Sequence, residues 1–284
     1  MLRTNSKEAD FFLVRSFFVL ALGLLIPTIS LGQSLSQKLS DNSLSVVSHR
    51  GVIDGETLEN SLFGIKKAYE SGVDFFEIDV RKGGDGELYL LHDATLDRTT
   101  NGNGPIVGKT AEELQQIRLT GSGELLPRFS QLLEFAQENQ IYLMLDVKEP
   151  ILEEVLGMVQ DYDLSDRCLV LTFARDRASE AHQIPGEFLI SVLVNGAEDL
   201  AYYQKLFTER EFLAYVSKEA PIELYQLVRD HSIPIVTDVM GAIDEQAQID
   251  KGKTYRSFQE VRQASVIVSD FPILLRDQLR YGLK

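Results

Sequence analysis

The sequence predicts an α/β fold in which a parallel sheet of about eight strands closes into a barrel. Three observations predict it. From Ser43 onward, short β-branched or aromatic runs alternate with amphipathic stretches. The number of such units, about eight in about 250 residues, suits a (β/α)8 arrangement. The first strand candidate ends in His-Arg-Gly, where an open doubly wound sheet would carry a Gly-rich phosphate loop.

The elements follow in chain order. Residues 1–32 read as a secretory signal peptide. Arg3, Lys7 and Arg15 precede the apolar run Phe17–Gly32, which is short for a membrane span, and Ser30 and Gly32 suit cleavage after Gly32. A retained N-terminal anchor is the alternative. No cysteine follows the run to carry a lipid. Residues 33–43 read as a polar, Ser-rich leader, and residues 44–284 as the barrel domain.

Nine strand candidates come next: Leu44–His49, Val73–Val80, Glu87–Leu91, Ile141–Lys148, Cys168–Phe173, Phe188–Val194, Phe212–Ser217, Ile233–Val239 and Ser265–Asp270. Glu87–Leu91 is the extra one, returning as a hairpin through KGGDG. Between the others lie helix-length stretches such as LENSLFGIKKAYESG, FSQLLEFAQENQ, EPILEEVLGMVQDYD, APIELYQLVRDHS and YRSFQEVRQA. Their apolar residues recur at three and four, as at Leu132, Phe135 and Ala136. Residues 93–127 are one long polar, Gly-rich excursion with a helix expected around Ala111–Ile117. Excursions of that length from a compact fold are functional or disordered.

Composition excludes some functions. The net charge of −15 argues against a nucleic-acid partner and against adsorption to anionic lipid. An anionic substrate would need a local positive cluster, and a divalent cation would be welcome. The single cysteine, Cys168, lies in an apolar run and reads as a buried hydrophobe. Nothing specifies an oligomeric state.

Polar residues fall at strand ends, where a barrel places its active site. Glu77 and Asp79 are two apart, so both point to one side of their strand and face the barrel mouth, while Phe76, Ile78 and Val80 pack outward. Asp146 and Lys148 end another strand, and His49 and His92 end two more. Clustered carboxylates repel one another unless a cation joins them, and oxygen-only ligands suit Mg²⁺ or Ca²⁺. Imidazoles titrate near neutral pH and suit proton transfer. Arg50 and Lys148 supply charge for a phosphate. His182 and His231, in polar helical surroundings, read as surface residues.

Taken in order, His49-Arg50-Gly51, Glu59-Asn60-Ser61, Glu77-Ile78-Asp79, Asp85-Gly86, His92-Asp93 and Arg98-Thr99-Thr100-Asn101-Gly102 resemble the signature of the glycerophosphodiester phosphodiesterases. These are metal-dependent TIM-barrel phosphodiesterases. Leu126-Pro127, Asp146-Val147-Lys148 and Ser269-Asp270-Phe271-Pro272 extend a weaker match. The resemblance implies a (β/α)8 TIM barrel with a small insertion at about 93–127. It implies Glu77, Asp79 and Asp146 as ligands of one divalent cation, Ca²⁺ or Mg²⁺, and His49 and His92 as acid and base. It implies Arg50 and Lys148 as phosphate contacts, with Glu59 close to the site. Asp146 stands where the family more often has Glu, so an ion would sit closer to that strand or be bridged by water. A tryptophan frequent in relatives is absent, and Thr237-Asp238 occupies its region.

The implied reaction is hydrolysis of a small glycerophosphodiester to glycerol 3-phosphate and an alcohol. It would take place in a periplasm, with no stable membrane insertion after signal removal. Two alternatives stand. One is a relative of sphingomyelinase D or lysophospholipase D acting on intact or lyso lipids, which would need an apolar loop near the mouth. The other is a non-catalytic phosphodiester-binding protein.

Overall fold

The computed structural model describes residues 32–281 apart from 42, 43 and 56. The expected signal peptide therefore lies outside the described residues, save Gly32. All nine strand candidates form: β1 (Ser45–Ser48), β2 (Phe75–Lys82), β3 (Leu88–Leu90), β4 (Tyr142–Val147), β5 (Cys168–Thr172), β6 (Leu189–Leu193), β7 (Phe212–Tyr215), β8 (Ile235–Asp238) and β9 (Val266–Ser269). The sheet runs β1-β9-β8-β7-β6-β5-β4-β2-β3, and β1 also pairs with β2. That last pairing closes the eight parallel strands into a barrel. β3 is the exception, antiparallel to β2 through a turn in which Gly83 N donates to Glu87 O at 2.8 Å.

Eleven helices accompany the strands among the described residues: α1 (Leu35–Ser40), α2 (Leu62–Glu70), α3 (Ala111–Leu114), α4 (Phe129–Asn139), α5 (Leu152–Asp161), α6 (Arg175–Gln183), α7 (Ala197–Leu206), α8 (Ile222–Asp230), α9 (Ala242–Ile249), α10 (Lys253–Arg262) and α11 (Pro272–Tyr281). Strand alternation sorts the apolar side chains into two cores. Phe76, Ile78 and Val80 face out and pack with Ile65, Leu132 and Leu133 of the surrounding helices. Phe75, Met144, Leu169, Leu213 and Val236 face in and fill the barrel. Cys168 is fully buried in the outer core, and burial pushes its thiol far above the ordinary range.

The polar leader holds a structural element that composition concealed. Helix α1 opens with a capping box: Ser34 Oγ accepts from Gln37 N at 3.2 Å, and Ser34 N donates to Gln37 Oε1 at 3.0 Å. Leu35 and Leu39, one turn apart, insert into the barrel's inner core from its N-terminal end. Lys38 pairs with Asp74 at 2.7 Å, and Tyr142 Oη donates to Gln33 O at 2.7 Å. A helix with only two leucines among polar residues leaves little periodic signal, which is why it reads as a leader.

The excursion is ordered. Leu91, Leu96, Ile106, Leu114, Ile117, Leu119 and Leu126 form a small core of its own with Tyr89. It is fastened to the hairpin at Gly84, whose N–H donates to Ile106 O at 3.1 Å. A Cβ at Gly84 would come within 2.3 Å of Lys109 O, so no other residue fits there. Its Glu124 caps α2, accepting from Leu62 N at 2.9 Å and Phe63 N at 3.2 Å.

Because Leu35 is fully buried beneath the barrel, Leu35→Ala is expected to destabilise the fold by about 2–5 kcal/mol. Chemical denaturation checks this, and an unchanged midpoint would mean that α1 does not close the barrel floor.

Candidate active site

The C-terminal ends of the strands gather the predicted residues. In-register pairing sets Asp79 of β2 directly beside Asp146 of β4. Glu77, Asp79 and Asp146 converge there, offering ligand oxygens that all lie within 4.8 Å of one another. Glu77 and Asp79 are buried, and Asp146 is partly exposed. Such a cluster is electrostatically costly. Burial first, then the charge of Asp79, pushes the Glu77 carboxyl up to about 8.

Several groups offset that repulsion. Arg50 N donates to Glu77 Oε2 at 2.9 Å, and Arg50 Nε lies 3.2 Å from Asp79 Oδ2. Lys148 Nζ bonds to Asp146 and lies 2.8 Å from Asp79 Oδ1 as an ion pair without an aligned hydrogen bond. Burial pulls the Lys148 ammonium down, but Asp79 and Asp146 outweigh it and hold its pKa above the ordinary lysine value. Asn60 braces Asp79 twice, donating to Oδ2 at 2.8 Å and accepting from Asp79 N at 3.2 Å.

The HRG segment makes this geometry possible. After β1 the chain turns through Arg50 and Gly51 at φ of +51° and +74°. A Cβ on Gly51 would sit 2.4 Å from Ile65 Cγ1, so glycine is required against α2. The turn carries His49 to the mouth and aims the Arg50 N–H at Glu77.

The two imidazoles are held differently. β1 pairs with β9 so that Ser48 faces Ser269, which brings His49 beside Asp270. His49 Nδ1 lies 2.7 Å from Asp270 Oδ1, and its Nε2 lies 3.9 Å from Glu77 Oε2. Burial lowers the His49 pKa, but the bond to Asp270 and the charge of Glu77 outweigh it and leave the value raised. His92 is tethered by its neighbour, with Nδ1 2.7 Å from Asp93 Oδ1. Its carbonyl accepts from Arg81 Nε at 2.9 Å. Arg98 clamps Asp93 at 2.6 Å and Glu59 at 2.7 Å. The Arg98 bond holds the Asp93 carboxyl well below the usual range. Glu59 also receives Arg50 at 3.2 Å. Burial raises the Glu59 pKa, but Arg98 and Arg50 prevail and lower it.

All eight sequence-nominated residues therefore meet at one barrel end. Asn60, Asp93, Arg98 and Asp270 also belong there without having been assigned roles. The first three lie in the quoted motif block, and Asp270 ends the last strand candidate. His231 is exposed, as expected. His182 is not a free surface residue, because it packs edge-on against Phe207 with centroids 5.0 Å apart. Opposite the acids, Asp238 ends β8 with Tyr215 Oη donating to it at 2.8 Å, and Lys218 Nζ bonds to the Met240 carbonyl at 2.8 Å. This charged and phenolic wall stands in the region where a tryptophan is absent. A cavity of about 990 Å³ at the other end of the barrel, near Leu44, Arg229 and Arg256, is lined by none of these residues.

The donor set fits a hard divalent cation: three carboxylates, no sulfur, and two of them buried. Among the described residues no other group of His, Cys, Asp and Glu gathers in this way. No described helix is long and apolar enough to cross a membrane.

Comparison with known proteins places the chain in a family. A glycerophosphodiester phosphodiesterase of Caldanaerobacter subterraneus is 29% identical over 141 residues, covering 45% of this chain and 57% of that protein. One of Bacillus subtilis is 29% identical over 194 residues, covering 62% of each. The chain thus spans about 57–62% of the length of these two relatives. A glycerophosphoryl diester phosphodiesterase of Parabacteroides distasonis has the same fold, with a TM-score of 0.75 at 21% identity over 89% of this chain and 94% of that one. An Oleispira antarctica phosphodiesterase, solved with the product sn-glycerol-3-phosphate, superposes with a TM-score of 0.67 at 18% identity over 85% and 99%. The sequence model of the glycerophosphoryl diester phosphodiesterase family matches residues 49–252. With most of the chain matched, the protein belongs to that family.

Proposed function

We propose that this protein hydrolyses glycerophosphodiesters to glycerol 3-phosphate and an alcohol, using His49 and His92 for proton transfer beside a cation held by Glu77, Asp79 and Asp146. The observation that carries the reading is the convergence of three acids, two carboxylate-held imidazoles and two cationic side chains at one barrel mouth. The glycerol 3-phosphate bound by the Oleispira neighbour supports the substrate class.

Ca²⁺ or Mg²⁺, when bound, would neutralise the acids and act as a Lewis acid toward a phosphoryl oxygen. The chain's own groups do the rest. Asp270 and Asp93 each occupy an Nδ1, so each imidazole exchanges protons through Nε2. One Nε2 accepts a proton from the attacking hydroxyl, which belongs to water or to the glycerol next to the ester. The other donates a proton to the departing alcohol. Where the glycerol hydroxyl attacks, a cyclic phosphate forms, and water then opens it to glycerol 3-phosphate as the two imidazoles exchange roles, so atoms and protons balance. Arg50 and Lys148 turn from the acids toward the phosphate and stabilise its developing charge. Glu59 stays behind them and holds Arg50 and Arg98 in place. Residues 1–32, as a signal peptide, would direct this activity to the periplasm.

One observation favours a second reading, cleavage of lyso lipids. Phe63 at the start of α2, Leu125 in the insertion and Phe173 after β5 are about half exposed at the mouth end. Turnover of lysophosphatidylcholine exceeding that of glycerophosphocholine would establish it.

Replacing His49 or His92 by Ala is expected to lower kcat by about 10²–10⁴-fold. Turnover within about tenfold of the parent would remove the proton-transfer assignment. The pH dependence of ion binding has a defined sign. Ion-free Glu77 holds its proton up to about 8 when folded, against an ordinary value of 4.5. Its contribution to stability is therefore complete below the ordinary value and lost as pH rises through about 8. A cation competes with that proton. Calorimetry should show a larger Ca²⁺- or Mg²⁺-induced rise in Tm at about pH 8.5 than at about pH 5.5. An equal rise at both would contradict binding at Glu77.

A further inference from the structure

Behind the His49–Asp270 pair lies a second carboxylate that does not line the mouth. Asp244, in the first turn of α9, is 1% exposed. Three donors converge on it. Tyr255 Oη of α10 donates to Oδ1 at 2.6 Å, and Ser269 Oγ of β9 donates to the same oxygen at 2.7 Å. Asp270 N donates to Oδ2 at 2.8 Å. Ser269 Oγ in turn accepts from Phe271 N at 2.9 Å. Asp244 is itself anchored, its N–H donating to Val239 O at 3.0 Å. The carboxylate therefore ties α9, α10 and the end of β9 into one buried knot. A buried carboxylate is expensive, and burial still pushes this one up to about 6 despite its three donors.

We propose that Asp244, with Tyr255 and Ser269, is the positioning network for His49. It fixes the main chain of Asp270 so that Asp270 Oδ1 holds a proton on His49 Nδ1 and leaves Nε2 facing the mouth. The chain of bonds is continuous: Tyr255 and Ser269 to Asp244, Asp244 to Asp270 N, Asp270 to His49 Nδ1. Among the described residues, His92 has no counterpart to this knot. Its Asp93 is held by Arg98, which is half exposed. The importance for turnover rests on the acid–base reading given above, whereas the effect on the His49 ring does not.

The chemistry of the three donors separates positioning from mere filling of space. The Asp270 N–H can only donate, while the Tyr255 and Ser269 hydroxyls can donate or accept. In Asp244→Asn the amide oxygen can face Asp270 N, and the amide hydrogens can face the two hydroxyls. Asparagine therefore keeps the link to Asp270, and alanine breaks it.

Two measurements test this on the full chain with Mg²⁺ added. The nitrogen resonances of the His49 ring report its tautomer without any turnover, and hydrolysis of glycerophosphocholine reports the rate. In the parent and in Asp244→Asn, His49 should be protonated on Nδ1 when neutral, with kcat within about threefold of each other. In Asp244→Ala the tautomer preference should be lost. Its kcat should fall about 10–100-fold with KM little changed, the size expected when a reacting group is misplaced by about 1 Å. If Asp244→Ala does not fold, Ser269→Ala and Tyr255→Phe each remove one donor and should weaken the same tautomer preference. An unchanged His49 tautomer in every folded variant overturns the proposal. A changed tautomer with undiminished kcat keeps the positioning network and instead overturns the role of His49 in proton transfer.

Discussion

Three carboxylates aimed at one point from neighbouring strands is the constraint around which the rest is arranged. Like charges this close repel, and burial of Glu77 and Asp79 removes the water that would screen them. Two nearby cations are committed to that problem. The Arg50 side chain approaches Asp79 while its main-chain N–H serves Glu77, and Lys148 spans Asp146 and Asp79. The strained turn after β1 exists to deliver one of these contacts. A site that spends two cations and an asparagine on holding acids together suits a ligand of high positive charge density.

The same ion pairs extend outward to the insertion. Asp79, Arg50, Glu59, Arg98 and Asp93 form an alternating chain of charges that ends at His92. Arg50, Glu59 and Arg98 each have an opposite charge on either side, so the chain can run through partly buried space without leaving these charges unpaired. The insertion is fixed at its other edge by Glu124, which caps α2. Its small apolar core makes it a rigid flap and not a loose one. His92 is thus placed by the ion pairs of Asp93 and Arg98 and by the Arg81 bond to its carbonyl, whereas the aspartate that holds His49 is itself backed by hydrogen bonds to the buried Asp244.

The barrel's two ends divide the labour. Helix α1 closes the N-terminal end with Leu35 and Leu39, completing an inner core that leaves the C-terminal end free of structural duty. Tyr215, Asp238 and Lys218 form the wall opposite the acids. That wall is charged and phenolic, and so differs in chemistry from one built around an indole.

By itself the sequence determined the strands, their alternation and the composition of the motif block. These are local properties: a period of two reads directly from neighbours, so Glu77 and Asp79 on one side and Phe76, Ile78 and Val80 on the other were legible. The nearness of His49, Glu77, Asp79, His92 and Asp146 was legible too, because barrel strands all end at one face. What only the tertiary structure decided was which strands lie side by side. Closure sets β1 against β9, and so Asp270, 221 residues away, becomes the partner of His49. Pairing of β2 with β4 sets Asp146 against Asp79. Arg98, Asn60 and Asp244 owe their roles to contacts across loops and helices. A short helix of six residues, α1, escaped notice for a related reason. Its two leucines acquire meaning only when the barrel above them exists, because burial depends on what other parts of the chain bring to the same place.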